Sequence, residues 1–303
     1  MISLRARLIR YFAKRSFAHV TPAMEIGVAR QMFEDAATRF KKPRSVALRQ
    51  TVIAGVDCDW LIPAGCEAAP VLYFLHGGAY VMGSSRTHRR FIAHLARAAS
   101  VRALLPNYRL APEHPYPQGI EDASKVYREL LSMGEVPSRI CIGGDSAGGG
   151  LTMATLLTLR DEGVALPAAA ILLSPWLDLS ASGESMHSRA NFDPLFRPHH
   201  MPDVADFYCG RHELRDPRIS PVFANLDGLP QTLIQVGDHE ILLSDSTRIA
   251  ENFRAAGVPV TLDVWPDMWH VFQFFVGFMP EATRAVNILG GFVRSSLRVP
   301  APR

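Results

Sequence analysis

Along most of the chain, apolar runs of strand length alternate with longer stretches whose apolar residues recur at helical spacing. Residues 46–54 and 56–63 flank Gly55 and predict two strands folded into an antiparallel pair. Apolar runs at 71–75, 101–106, 139–142, 168–173, 231–236 and 260–264 predict further strands. Helical patterns cover 87–99, 118–133, 146–161, 244–255 and 281–297. Strands that are apolar throughout belong to a sheet covered on both faces, and helical connections make its strands parallel. The predicted fold class is α/β, with a mostly parallel eight-stranded sheet flanked by helices.

The alternation stops between 179 and 229, where no strand is evident. This stretch contains Pro194, Pro198, Pro202 and Pro217, with a helix expected around 202–211. So long an interruption in a regular α/β pattern is usually functional. Inserted between two strands, it would sit over their C-terminal ends, where such sheets bind ligands.

Before the first strand, residues 1–20 form a basic amphipathic segment with Leu4, Leu8, Tyr11 and Phe12 on one helical face. Arginines interrupt it throughout, so it does not read as a secretory signal. The expected arrangement is a helix that packs over the main domain and exposes its charged side; the alternative is a membrane-surface helix. Residues 1–44 carry a net charge of +7 within a chain total of +3, which leaves −4 for the remainder. That balance argues against a nucleic-acid binder. No run approaches the roughly 18 apolar residues of a membrane span, so stable insertion is not expected. The four cysteines, Cys58, Cys66, Cys141 and Cys209, form no metal-like or paired spacing and fit reduced thiols in a cytoplasmic protein.

Chemistry enters at Gly144-Asp145-Ser146-Ala147-Gly148, a G-x-S-x-G sequence between a predicted strand and a predicted helix. That context makes Ser146 a candidate nucleophile on a sharp turn. A second signal, His76-Gly77-Gly78-Ala79-Tyr80, directly follows the third strand. Gly77 and Gly78, with the Ala147 N–H, are candidate donors to a tetrahedral oxyanion. His76 reads as a residue that orients this loop. His270, just past the last strand, is the candidate general base, and the order serine, acid, histidine is the α/β-hydrolase order.

These motifs resemble those of the bacterial hormone-sensitive-lipase-like esterases, also called family IV carboxylesterases. The resemblance runs from about residue 71 to 272. It also rests on the block Tyr108-Arg109-Leu110-Ala111-Pro112-Glu113-His114-Pro115-Tyr116-Pro117 and on Ser174-Pro175-Trp176. Arg109, Glu113 and His114 are expected in a buried structural network. Ala79 stands where many members have a third glycine, a departure expected to be tolerated because the third position need not donate. An overlay on the family's acid-bearing loop selects Glu240 as the triad acid, with Asp238 and Asp178 as alternatives.

The resemblance implies a serine carboxylesterase that acts on short acyl esters and needs no metal or cofactor. It implies cap helices in 1–44, and a catalytic domain over 45–303 with a cap insert at about 179–215. Tyr80, Met201, Phe207 and Tyr208 are candidate pocket residues, and a homodimer through the last strand, 260–264, is plausible by the same likeness. Other readings are a membrane-associated lipase, an amide-cleaving deacetylase, and a ligand receptor of the same fold that has lost turnover.

Overall fold

The computed structural model describes residues 2–17, 21–38 and 42–300. The ends of the N-terminal arm and of the chain, 1, 18–20 and 301–303, lie outside it, as do 39–41. Eight strands form one sheet: β1 (Val46–Ile53), β2 (Val56–Pro63), β3 (Val71–Leu75), β4 (Arg102–Pro106), β5 (Ile140–Asp145), β6 (Ala169–Leu173), β7 (Gln231–Gly237) and β8 (Val260–Trp265). Their spatial order is β1-β2-β4-β3-β5-β6-β7-β8. Only β1 with β2 and β2 with β4 pair antiparallel, and the remaining neighbours are parallel.

Helices cover both faces. The described helices are α1 (Leu4–Phe17), α2 (Ile26–Thr38), α3 (Ser85–Ala99), α4 (Gln118–Ser132), α5 (Ala147–Asp161), α6 (Ser185–Ser188), α7 (Met201–Cys209), α8 (Leu243–Ala255) and α9 (Pro280–Ser296). Successive side chains of a strand point to opposite faces. Thus Leu72 and Phe74 join a core with Phe91 of α3 and Leu289 of α9. Tyr73 and Leu75 join another with Val126 of α4, Leu151 of α5 and Phe253 of α8. A side chain at Gly290 would come within 2.7 Å of the Ala98 backbone, so α9 can lie this close to α3 only because the residue is glycine.

The interruption between β6 and β7 holds α6, α7 and several short turns. It sits at the C-terminal ends of the strands, where Ser185 exchanges hydrogen bonds with Ser244 at the start of α8.

The N-terminal helix packs, but not by the expected face. Ala6 is fully buried against Trp265, Met268, Trp269 and Phe272, with Ile2 and Ile9 partly buried beside it. Leu4, Leu8, Tyr11 and Phe12 instead lie 71%, 52%, 57% and 62% exposed. Ala6, Ile9 and Ala13 project from the opposite side of a 3.6-residue helix. The body offers its aromatic cluster to small and branched residues on that side, leaving the larger apolar stripe in solvent. Polar anchors fix the orientation: Ser3 donates from backbone and hydroxyl to the Glu281 carboxylate, and Arg10 donates to the Phe192 carbonyl.

Candidate active site

Ser146 caps α5 at the end of β5 with φ 54° and ψ −125°, a backbone conformation that L-residues rarely adopt. Two glycines make the turn possible. A Cβ on Gly144 would lie 2.2 Å from the Gly148 carbonyl oxygen, and one on Gly148 would lie 2.1 Å from that of Leu75. The bend is pinned to the next strand, because Ser146 donates its N–H to Leu173 O (2.9 Å) and accepts from Trp176 N–H (2.9 Å). Ser146 therefore sits at the carboxyl edge of the sheet with its backbone strained and held.

In the loop after β3, one of the two expected donors is engaged within the protein. The Gly77 N–H donates to Asp145 Oδ1 at 3.0 Å, so it is engaged and is not free for an oxyanion. His88 Nε2 lies 3.1 Å from the same oxygen. Gly78, Ala79 and Tyr80 follow at φ 126°, 55° and 63°, which turns the chain back sharply. Among the described residues, the N–H groups of Gly78, Ala79 and Ala147 have no acceptor. The unengaged N–H groups of this loop thus lie at Gly78 and Ala79 rather than at Gly77 and Gly78.

His76 is buried and stacks on Tyr108 with ring centroids 4.3 Å apart. Its Nδ1–H donates to Gly77 O (2.9 Å), and Tyr108 Oη–H donates to His76 O (2.6 Å). Burial, reinforced by the neighbouring His88, pushes the His76 pKa down to about 3, so the ring is neutral. The charged residues of the Tyr108 block do form a network, but at the surface rather than in the core. Arg109 grips Asp122 (2.8 Å) and Gln118 (2.7 Å), while Glu113, 54% exposed, pairs with Arg30 of α2.

Glu240 and His270 meet. The imidazole Nδ1–H of His270 donates to Glu240 Oε2 at 2.9 Å, and both side chains are buried. The other carboxylate oxygen of Glu240 accepts from the Ser174 hydroxyl (2.8 Å) and the Gly237 N–H (2.6 Å). A buried carboxylate needs such partners to stay ionised. Ser174 also accepts the Val271 N–H at 3.1 Å, so the end of β6 anchors the loops that carry both acid and base. The alternatives are turned elsewhere. Asp238 accepts the Asp267 N–H (2.6 Å), and Asp178 is held by Ser180, Ser182 and Arg248.

Two residues of the insert approach this pair without having been singled out from the sequence. The Phe196 ring stands edge-on to the His270 imidazole with centroids 4.7 Å apart. Asp193 accepts the N–H groups of Leu195 (2.8 Å) and Phe196 (2.9 Å), and across the gap that of Ile241 (2.9 Å). The Asn191-Phe192-Asp193-Pro194 stretch has turn composition, which was the available signal.

Of the candidate pocket residues, Tyr80 and Tyr208 stack at 3.7 Å and bring α7 onto the loop after β3. Met201 is buried and Phe207 partly buried in the core cluster that contains this stack.

Comparison with known proteins supplies the family. Residues 71–274 match the family described as alpha/beta hydrolase fold. An acetyl-hydrolase of Streptomyces hygroscopicus is 40% identical over 238 residues, spanning 78% of this chain and 79% of that protein. A crystal structure of an esterase from the bacterial hormone-sensitive lipase family superposes with a TM-score of 0.94 at 39% identity, covering 98% of this chain and 99% of that one. The esterase EstE5 soaked with p-nitrophenyl butyrate superposes with a TM-score of 0.92 at 39% identity, covering 98% and 99%. With the serine turn, the glycine loop and the buried acid–histidine pair at one edge of an eight-stranded sheet, the chain belongs to the α/β-hydrolase fold family, among the bacterial hormone-sensitive-lipase-like esterases.

Proposed function

We propose that the protein is a serine carboxylesterase of short acyl esters, with Ser146 as nucleophile, His270 as general base and Glu240 as the acid that orients it. The observation that carries this reading is the 2.9 Å contact between His270 Nδ1 and Glu240. With Nδ1–H committed to the carboxylate, Nε2 is the basic nitrogen of the ring. Nε2 takes the Ser146 hydroxyl proton as Oγ bonds to the ester carbonyl carbon. The carbonyl oxygen becomes an oxyanion, stabilised by the N–H groups of Gly78, Ala79 and Ala147, each worth about 3 kcal/mol in the transition state. The tetrahedral adduct collapses, the alcohol leaves with the proton from His270, and water hydrolyses the acyl-enzyme by the same route.

The short-acyl preference is supported by the acetyl-hydrolase relative and by the butyrate ester soaked into a structural neighbour. The Tyr80–Tyr208 stack, with Met201 and Phe207 nearby in the same core, provides apolar walls for an acyl group or alcohol. In this reading α1, α2 and the 179–215 insert form the cap. Phe196 against His270 supports the insert's part in it. A homodimer through β8 fits that strand's place at the sheet edge. A cytoplasmic setting fits four free thiols, of which Cys58 and Cys209 are pushed up to about 12, chiefly by burial. Among the described residues, no helix is long and apolar enough to cross a membrane.

Parallel assays of p-nitrophenyl acetate, butyrate and laurate test the proposal. Turnover is expected on acetate and butyrate and to fall steeply on laurate. Turnover on none of the three favours the receptor reading, and a preference for laurate favours a lipase.

A further inference from the structure

The outward face of α1 is too apolar and too basic to be explained by its packing. Helical geometry places Leu4, Leu8, Tyr11, Phe12 and Arg15 on one stripe, and the residues that hold the helix to the body on the opposite one. Arg5 borders one side of that stripe, and Arg7 and Lys14 border the other. The helix contains five basic residues and no acidic one. Of the five, Arg10 alone is turned inward, donating to His239 Nδ1 (2.8 Å) and Phe192 O (2.8 Å). The guanidinium of Arg15 stays within the stripe, 6.0 Å from the Tyr11 ring.

We propose that this face is a docking surface for an anionic phospholipid bilayer. An apolar stripe flanked by arginine and lysine is the pattern of a helix that lies in the membrane interface. Its side chains enter the acyl boundary while the flanking cations meet the headgroups. Charge argues against a second copy as the occupant. A two-fold contact through this stripe would set each basic helix against itself. An anionic surface complements it, and the net negative remainder of the chain orients the basic end toward the lipid.

The helix is in place for this without any rearrangement. Its inner face is already buried on Trp265, Met268 and Trp269, at the end of β8 from which the chain runs to His270. Docking would therefore hold the carboxyl edge of the sheet, and with it the candidate active site, beside the lipid. The attachment is peripheral and reversible, since one helix face carries it. It does not depend on the esterase reading, because lipid binding is measured without substrate.

Sedimentation with vesicles of phosphatidylcholine, and of phosphatidylcholine mixed two to one with phosphatidylglycerol, tests it. The wild-type chain is expected to bind the mixed vesicles, to bind the neutral ones weakly, and to be released by high salt. The double variant Leu8→Glu with Phe12→Glu is expected to bind the mixed vesicles at least about tenfold more weakly while hydrolysing soluble p-nitrophenyl butyrate at the wild-type rate. If that variant does not fold, Phe12→Trp keeps the face apolar, and brominated lipid should quench its added fluorescence. The proposal is overturned if the wild type does not bind mixed vesicles, if the charged double variant binds them equally, or if Phe12→Trp shows no quenching. A dimer of the wild type that the double variant dissolves would also overturn it, in favour of a second copy.

Discussion

Asp193 of the insert and Ile241 of the acid loop are joined by a 2.9 Å hydrogen bond from the Ile241 backbone to the Asp193 carboxylate. The two residues are 48 positions apart, yet Ile241 immediately follows Glu240. The same carboxylate fixes the turn that presents Phe196 to His270. One buried side chain thus sets the distance between the insert and the acid–base pair. Burial raises the Asp193 pKa above the usual carboxylate range, and the three backbone donors oppose that rise.

Asp193→Ala should leave those three N–H groups without their acceptor. Each buried orphan costs about 1–3 kcal/mol, and partial relaxation makes the sum smaller than three independent losses. A total of about 2–4 kcal/mol is expected in urea unfolding. Activity should fall further than the folded fraction does, because Phe196 loses its seat. A variant as stable and active as wild type would show that the insert is held by other contacts.

Ser146→Ala should leave stability near wild type and reduce ester turnover by at least about 10³-fold. The backbone bonds to Leu173 and Trp176 do not involve the hydroxyl, so the turn should survive. Thermal unfolding beside p-nitrophenyl butyrate kinetics checks both halves. Retention of most of the activity would exclude Ser146 as nucleophile.

The sheet was legible because its strands are uniformly apolar and its helices periodic. Boundaries shifted where tertiary partners intervened. The strand expected over 139–142 became β5 (Ile140–Asp145), since β3 and β6 pair with it on both sides through Gly143 and Gly144 despite their poor strand propensity. Helix α3 begins at Ser85, before its expected start at 87, because Ser84 and Thr87 form a capping box. Among the chemical residues, Ser146 and His270 could be picked out by position relative to strands, whereas Glu240 needed the overlay on the family's acid-bearing loop, since Asp238 lies nearer the strand end. The Gly77 donor could not be judged, because its partner Asp145 is 68 residues away. Asp193 and Phe196 lie in irregular chain, where no periodicity marks what faces the site. The outward turn of Leu4, Leu8, Tyr11 and Phe12 was hidden for another reason: α1 has two apolar sides, and only the surface of the body selects between them.

The two neighbouring acids of the loop after β7 should respond differently to amide substitution. Glu240→Gln keeps the shape but can no longer fix the His270 tautomer or stabilise its charged form, and kcat should fall by as much as about 10⁴-fold. Asp238→Asn retains an oxygen to accept the Asp267 N–H and should cost less than about tenfold, since Asp238 caps a turn and faces His239 rather than His270. Measuring kcat for both variants and the wild type at the same alkaline pH decides it. A large loss in Asp238→Asn with a mild one in Glu240→Gln would reverse the assignment.

Asp245 gives a test of stability rather than rate. Its side chain is fully buried, and its Oδ2 accepts the N–H groups of Leu177 (2.7 Å) and Asp178 (2.9 Å). Oδ1 has no partner among the described residues. Burial is the main reason that the pKa is pushed up from 3.8 to about 8, with the nearby Asp178 charge adding to it. Between those two values the folded protein holds a proton that the unfolded chain has lost. Stability must then fall as pH rises through that window, by up to about 1.4 kcal/mol per pH unit, and level off above it. Asp245→Asn cannot ionise. Its amide oxygen can accept the same two N–H groups, so the fold should persist while this slope disappears. Urea unfolding of both proteins at about pH 5 and about pH 8 should show the variant gaining on wild type at the higher value. Comparing the pair cancels the titration of groups common to both, including His76. Parallel stability curves across the window would mean that Asp245 is ionised in the folded protein and finds a partner for Oδ1.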